Sequence, residues 1–381
     1  MSIIYTLSIL LSLAYIGIMC RYIYHWQKLK IWETPVTYQP STKISVIIPV
    51  RNEADNIKAC LASVLHQDYP SELFELIIID DHSTDETPDL LAAEQDQRLK
   101  VLKLADYIDA TQANSFKKKA IEIAVDMAKG DLIATTDGDC IVPERWLQRL
   151  AHLYETKGLK FIAAPVNFYQ EQNTLEYFQS IDFTGMMGVT GAGIQGQFMN
   201  MCNGANLAYD KSAFYEVKGF TGIDHLASGD DMLLMQKIAR RFPGQLAYLK
   251  NKAATIQTKA QNNWTAFFNQ RIRWASKSSD YKEWQVTAML GLVWLFCISI
   301  FFSLLTIPFL GFTGLFIFLG QLLIKTIMDY ALLSRTTRFF DRQDLMKHFL
   351  SAQILHTFYI ISVGTLSLFI KNYQWKGRAV R

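Results

Sequence analysis

The sequence predicts an α/β fold: a Rossmann-like, doubly wound and mostly parallel sheet, with membrane helices before and after it. Three observations carry this prediction. Between about residues 42 and 281, short apolar runs rich in β-branched residues alternate with stretches of helical period, as in strands buried on both faces by helices. Residues 3–19 form a charge-free apolar run, and the chain returns to that character after residue 283; ~20 such residues span a bilayer as a helix. The composition lies between two classes, with 50% hydrophobic, 13% aromatic and 19% charged residues among 381. That is too apolar for a soluble enzyme and too polar for a pure membrane bundle, so a soluble domain joined to membrane segments reconciles it. The regions predicted are a transmembrane helix over 1–24, an α/β domain over 42–283 and a membrane region of two to three segments over 286–371.

In chain order, the first apolar run is not a cleaved signal peptide. No basic residue precedes it and no small-residue cleavage site ends it. Arg21, His25, Lys28 and Lys30 follow it and place the downstream side in the cytoplasm by the positive-inside rule. "ISVIIPV" (44–50) and "FELIIID" (74–80) read as buried strands, with a helix between them whose apolar face carries Ile57, Leu61, Val64 and Leu65. A second helix, "SFKKKAIEIAVDMAKG" (115–130), takes Gly130 as its stop and feeds a third strand, "DLIATTD" (131–137). Ligands of such sheets lie at the carboxyl ends of the strands, so Asp80–Asp81 and Asp137–Asp139 are expected at one crevice.

Residues 286–310 and 312–333 read as two spans joined at Gly311, residues 335–348 as a basic loop, and residues 349–370 as a third apolar stretch. Three full spans put the basic segment 371–381 outside, whereas its four basic residues argue for inside. Sequence alone leaves that alternative open. Lys325 and Asp329 share a helix face and are expected to satisfy one another. His356 is expected to be a buried, hydrogen-bonded histidine.

Charge and cysteine usage exclude some classes. A net charge of +3 is too small to point to nucleic acid. Cys20, Cys60, Cys140, Cys202 and Cys297 are scattered and form no C-x-x-C pair, so neither a disulfide framework nor a zinc site is predicted, and a reducing compartment fits.

The polar stretches at the strand ends carry the chemistry. "ATTDGDC" puts Asp137 and Asp139 on one bend, where a divalent cation that prefers hard oxygen ligands would answer their repulsion; an ordinary Asp-Gly surface turn is the plain alternative. Asp80, Asp81, Ser83 and Asp85 offer acceptors to a ribose and a base, although helix capping explains one carboxylate in each loop. Of Lys117, Lys118 and Lys119, successive side chains diverge by roughly 100°. They cannot all face one ligand, and Lys117 at the helix start is best placed for phosphate. "SGDD" sets Asp230 to cap a helix and leaves Asp231 for proton transfer. In "NQRIRW", Gln270 and Arg273 share a face beside Trp274, suited to a diphosphate or a hydroxyl-rich acceptor; an interfacial helix with snorkelling arginines is the plain structural explanation. "GAGIQG" (191–196) fits a dinucleotide fingerprint but lacks its strand and helix, and is read as a flexible glycine-rich wall near the membrane.

In order, "IPVRNE", "DDHSTDET", "KKKA", "DGDC", "CNGAN", "GDD" and "QRIRW" resemble the family-2 glycosyltransferases of GT-A fold, in their membrane-embedded branch. The resemblance spans about residues 44–274. It implies that Glu53, Asp80, Asp81, Lys117 and Asp137 line the nucleotide-sugar pocket. It further implies that Asp137 and Asp139 bind Mn2+ or Mg2+, that Asp231 is the catalytic base, and that Gln270, Arg273 and Trp274 lie near the donor diphosphate and the acceptor. Where such enzymes usually carry Glu-Asp, this chain has Asp230–Asp231, and Phe116 replaces the glycine usual before the lysine.

The expected activity is inverting transfer of a sugar from a nucleotide sugar, UDP-linked, to a lipid-linked acceptor at the cytoplasmic face of the cell membrane, by a multi-pass protein. A processive polysaccharide synthase is the alternative within the class, with a glycan as acceptor; few membrane segments are available to build an export channel. A catalytically inactive scaffold is the alternative outside it, and the intact Asp137, Asp139 and Asp231 argue against that.

Overall fold

The computed structural model describes residues 2–108, 115–226, 229–276, 283–370, 373–375 and 378–380. Contacts divide the chain into two units: a helical one of Met1–Leu29, Gln170–Met199 and Ala260–Lys371, and a sheet unit of Lys30–Tyr169, Asn200–Lys259 and Asn372–Arg381. Elements are numbered along the whole chain.

The helical unit begins with α1 (Ser2–Lys28) and the sheet unit with β1 (Ile44–Val50). There follow α2 (Ile57–Leu65), β2 (Phe74–Asp80), α3 (Thr87–Ala92), β3 (Leu99–Lys103), α4 (Phe116–Met127) and β4 (Leu132–Thr135). The expected strand–helix alternation is thus present. Next come α5 (Trp146–Lys157), β5 (Phe161–Ala163) and β6 (Val166–Phe168). After α6 (Thr174–Gln195) of the helical unit, the sheet unit resumes with β7 (Leu207–Asp210), α7 (Lys211–Glu216), α8 (Met232–Arg241), β8 (Leu246–Tyr248) and β9 (Ile256–Thr258).

The main sheet has seven strands in the order β3-β2-β1-β4-β7-β5-β8. Only β7 runs antiparallel to its neighbours β4 and β5; the other pairs are parallel. β1 lies in the middle despite Pro49, which lacks a ladder donor. The register explains the tolerance. Val50 O accepts from Asp81 N at 2.8 Å, so Val50 faces β2 and Pro49 faces the other way, where pairing with β4 has already ended at Ile47. Gly130, expected as a helix stop, has another role. α4 ends at Met127, with Ala128 as its C-cap, and a Cβ on Gly130 would lie 2.4 Å from Ser45 N, so the glycine permits the chain to cross β1 closely. A parallel pair, β6 with β9, lies beside the main sheet, and Ile141 bridges to Gln257 of β9.

The helical unit adds α9 (Trp264–Ala275), α10 (Trp284–Leu310), α11 (Phe312–Phe339) and α12 (Phe349–Phe369) to α1 and α6. Among the described residues, four stretches are long and apolar enough to cross a membrane: Tyr5–Lys28, Trp284–Leu310, Phe312–Phe339 and Gln343–Phe369. The first part of the expected basic loop is helical, because α11 continues to Phe339. Tyr15 stacks on Phe296 at 4.3 Å and Trp26 meets Phe339 edge-on at 5.4 Å, binding α1 to α10 and α11. Lys325 is satisfied as expected, by Asp329 at 2.6 Å, Gln353 at 3.0 Å and His356 Nδ1 at 3.1 Å. Tyr15 donates to the same Asp329. The "GAGIQG" segment is not a flexible wall: it forms the end of α6 and the residue after it. One turn earlier on that helix, a Cβ on Gly188 would lie 2.3 Å from Thr336 of α11. Small residues let these two helices approach, as in membrane bundles. The chain closes with the strand pair β10 (Tyr373–Trp375) and β11 (Arg378–Val380).

Candidate active site

The register decides which loops meet. Val50 pairs with Asp80 and Ile47 with Thr135, so β2, β1 and β4 release their loops at one sheet edge. Because β7 is antiparallel, it starts where β4 ends, with Thr135 opposite Leu207. Residues 203–206 are thereby carried to the same edge, and Thr135 Oγ1 donates to Gly204 O at 3.1 Å.

Much of the polarity in the first two loops stitches them together. Arg51 Nη1 donates to the carbonyls of Asp81 and His82, each at 2.7 Å. Asn52 N donates to Ser83 Oγ at 2.9 Å, Thr84 N to Asn52 Oδ1 at 2.8 Å, and Glu53 N to Thr87 Oγ1 at 2.8 Å. Asp85 accepts from Ala54 N at 3.1 Å and Thr87 N at 3.0 Å. Ser83 and Asp85 are thus spent on loop structure. Neither Asn52 nor Asp55 caps α2, whose N-cap is Asn56. Glu53, Asp80 and Asp81 are all buried. Asp80 Oδ1 accepts from Ser83 N at 3.2 Å, and Asp81 Oδ1 lies 2.9 Å from His82 Nδ1. Burying three carboxylates at one strand edge is costly without partners or a ligand.

The D-x-D bend is a turn in which Cys140 N donates to Asp137 O at 3.1 Å. A Cβ on Gly138 would stand 3.1 Å from Glu53 Cγ, which places the bend against the β1 loop. Asp137 is half-buried and Asp139 exposed, and with Cys140 they bring three potential ligand atoms within 4.8 Å of one another. The two carboxylates form a hard oxygen pair that suits Mg2+ or Mn2+. The buried Cys140 thiol donates to Asp139 Oδ1 at 3.5 Å. Burial, then Asp139 and Asp137, push it well above the usual thiol range. Next to these segments in the chain, the hydroxyls of Ser115 and Thr136 are buried without hydrogen-bond partners.

The three lysines divide as their angles require. Lys117 Nζ reaches Asp137 Oδ1 at 2.8 Å and Asp230 Oδ2 at 3.3 Å. Burial opposes its charge, but Asp137, Asp230 and Asp231 outweigh burial and hold the ammonium above the ordinary lysine range. Lys118 is buried and donates to Ile223 O at 2.6 Å and Leu226 O at 2.7 Å. Lys119 is exposed and pairs with Glu122 at 2.8 Å.

The cap of α8 falls on Asp231 and not, as expected, on Asp230. Asp231 is the N-cap of α8: Oδ1 accepts from Met232 N at 2.7 Å and Oδ2 from Gly204 N at 3.1 Å. Asp230 instead faces Lys117. A Cβ on Gly204 would stand 3.6 Å from each of Asp230 Oδ2, Asp231 Oδ2 and Lys117 Nζ, so Gly204 marks the centre of this cluster. Sequence reasoning matched "CNGAN" without giving it a role; an Asn-Gly pair just before a strand was the available signal. The two N–H groups fix the Asp231 carboxylate while each oxygen keeps a lone pair.

Lys117, Asp137, Asp139, Asp230 and Asp231 therefore come together in the sheet unit, with Glu53 against the bend and Asp80–Asp81 at the neighbouring strand end. Gln270, Arg273 and Trp274 lie on α9 of the helical unit and are half-buried. There it is Arg271, not Arg273, whose guanidinium lies over the Trp274 ring, at 4.4 Å.

Residues 45–218 match the model for "Glycosyl transferase family 2", and residues 132–360, more than half the chain, match "Glycosyl transferase family group 2". The chain is 27% identical over 191 residues to Glycosyltransferase AglE of Haloferax volcanii, a match covering 50% of this chain and 59% of that protein. It is 28% identical over 181 residues to a Beta-monoglucosyldiacylglycerol synthase of Nostoc sp., covering 43% and 38% respectively. The matched region thus spans less than two thirds of these relatives. The fold is similar to that of the mannosyltransferase PcManGT from Pyrobaculum calidifontis, solved in complex with GDP-Man and Mn2+, with a TM-score of 0.58, 18% identity, and coverage of 97% of this chain and 99% of that one. The family match, the GT-A-like sheet and the acidic cluster at its edge agree: this chain belongs to glycosyltransferase family 2.

Proposed function

We propose that the protein is an inverting glycosyltransferase that moves a sugar from a nucleotide diphosphate sugar to a lipid acceptor at the cytoplasmic face of a membrane. The single observation that carries the reading is the cluster around Gly204, where Lys117, Asp230 and Asp231 surround one point beside the Asp137–Asp139 bend. Support for a lipid acceptor comes from the four helices able to cross a membrane and from the names of relatives, which include a diacylglycerol glucosylating enzyme and an undecaprenyl-phosphate transferase. Arg21, His25, Lys28 and Lys30 after the first apolar helix support cytoplasmic placement.

In this reading Glu53, Asp80 and Asp81 line the nucleotide pocket, and Asp137 and Asp139 hold Mn2+ or Mg2+. When bound there, such an ion would offset the charge that grows on the departing diphosphate. Lys117 stands beside Asp137 and supplies a fixed positive charge for the same oxygens. Asp231, oriented by its two backbone N–H bonds, takes the proton of the acceptor hydroxyl while that oxygen attacks the anomeric carbon. One displacement breaks the bond to the nucleotide and inverts the centre, with no covalent sugar–enzyme intermediate, unlike a retaining glycosidase. Gln270, Arg273 and Trp274 are assigned to the diphosphate and acceptor.

The test is a panel of radiolabelled UDP- and GDP-sugars offered to membranes containing the protein, with lipid and polymer fractions extracted separately. One sugar added to a lipid, lost on chelation and restored by Mn2+ or Mg2+, is the expected result. A ladder of products replaces the lipid reading by a processive one, and no metal-dependent transfer from any donor overturns the proposal.

A further inference from the structure

Buried polar atoms without partners are uncommon in folded chains, and each calls for a cause. Among the described residues, five buried atoms on α6 and α9 lack a hydrogen-bond partner: Asp182 Oδ2, Thr184 Oγ1, Gln270 Oε1, and Nε and Nη2 of Arg271. The Arg271 side chain is 0% exposed. Its guanidinium lies 4.4 Å from the Trp274 ring centre, 5.3 Å from Phe267 and 6.0 Å from Tyr359. Aromatic faces balance its charge but take up its N–H groups poorly. Asp182 Oδ2 stands 3.3 Å from Arg271 Nη2, close enough for an ion pair yet out of hydrogen-bond alignment. The other Asp182 oxygen is 3.7 Å from His356 Nε2. Lys325, beyond that histidine, is already spent on Asp329 and Gln353. The cluster reaches the surface of the helical unit at His356, whose side chain is 25% exposed, and at the half-buried Gln270.

The set is mixed in kind and balanced in charge. Arg271 offers the N–H groups of two nitrogens, Nε and Nη2, Asp182 and Gln270 each offer an acceptor oxygen, and the Thr184 hydroxyl can do either. A phosphate monoester would satisfy Arg271 but set its own charge against Asp182. Alcohol groups answer both sides, donating to the carboxylate and amide oxygens and accepting from the guanidinium. Resting on the functional reading above for its role as acceptor site, we infer that Asp182, Gln270 and Arg271 form a headgroup site for a neutral, hydroxyl-bearing glycerolipid, not for a lipid phosphate.

The test uses the full chain in phosphatidylcholine vesicles with a photoactivatable diacylglycerol. Labelling is expected on α6 or α9. Unlabelled diacylglycerol should compete for it, and polyprenyl phosphate at the same membrane fraction should not. Arg271→Met and Asp182→Asn should each cut labelling about tenfold, the scale of one charge-assisted hydrogen bond. Gln270→Leu, which strands no buried charge, should also reduce it and serves if the other two variants fail to fold. Unchanged labelling in all folded variants means the seam holds only ordered water and overturns the inference, as does preferential competition by polyprenyl phosphate. Metal-dependent donor hydrolysis in the same vesicles separates the two claims. Hydrolysis without selective labelling sinks the headgroup site alone. Selective labelling without turnover of any donor sinks the transferase reading and leaves a lipid site.

Discussion

Lys117, Lys118 and Lys119 are chemically identical neighbours, and helical geometry alone sends one to Asp137, one to buried carbonyls and one to solvent. The sequence disclosed that they must diverge. It could not disclose that Lys118 is buried, because the carbonyls that hold it come from residues about a hundred positions away. Asp230 and Asp231 were likewise legible as a pair, but their division turned on Gly204 N and Lys117 Nζ, neither adjacent in the chain. At this scale the base assignment is directly testable. Asp231→Asn should keep the cap on α8 if its amide oxygen takes the place of Oδ1 and accepts from Met232 N, while its NH2 group, a donor only, gives up the bond from Gly204 N. Transfer should fall by about 10²–10⁴-fold, the usual worth of a positioned base, while nucleotide binding measured by calorimetry persists. Transfer at the wild-type rate would remove Asp231 from the chemistry.

Among the elements, β1, β2 and β4 were visible as unbroken apolar runs, because strands buried on both faces leave no polar alternation to confuse. Strands of three residues such as β5 and β8 carry too little pattern, and tertiary pairing alone forms them. α6 hid behind its glycines: the sequence suggested a loose wall, whereas packing against Thr336 selects small residues within a helix. The segment before α8 shows how one element positions another. Lys118 holds it from α4, and Lys237 of α8 donates to Gly219 O and Thr221 O. Lys118→Met should release this segment and misplace Asp231, lowering the ratio of sugar transferred to sugar hydrolysed by roughly tenfold, a plausible scale since a 1 Å misplacement can cost ~10²-fold. That ratio does not depend on the folded fraction, so a loss of stability alone leaves it unchanged. At the entry to β1, Glu155 of α5 accepts from Ser41 N at 3.0 Å, Thr42 N at 2.8 Å and Tyr38 Oη at 2.7 Å. Burial pushes its carboxyl up, but the bonds from Thr42, Tyr38 and Ser41 win and hold it below the ordinary value. Its contribution is therefore present at neutral pH and lost as pH falls through the lowered folded-state value. Glu155→Gln should cost ~1 kcal/mol at pH 7, discounted for exposure. The gap in Tm to wild type should narrow as the solution is acidified below the ordinary carboxylate range; a gap independent of pH would refute the charge-based account.

For the whole molecule, the two units interleave along the chain, so neither is a continuous stretch of sequence. Residues 42–283 hold the entire main sheet but also α6 and α9, whose partners lie elsewhere in the chain. Phe178 and Phe267 pack with Tyr359 of α12 at 6.0 Å and 5.5 Å. Expressed alone, that fragment should expose this aromatic face and elute as an aggregate without detergent in size-exclusion chromatography. A monodisperse, detergent-free fragment would show that α6 and α9 are stable without their partners.

The same interleaving sets an order of events during translation. The glycine face of α6 leaves the ribosome long before Thr336, the residue it closes on. Until α11 has been made, that face lacks its native cover, so the nascent protein needs another surface, such as a chaperone, to shield it while synthesis continues.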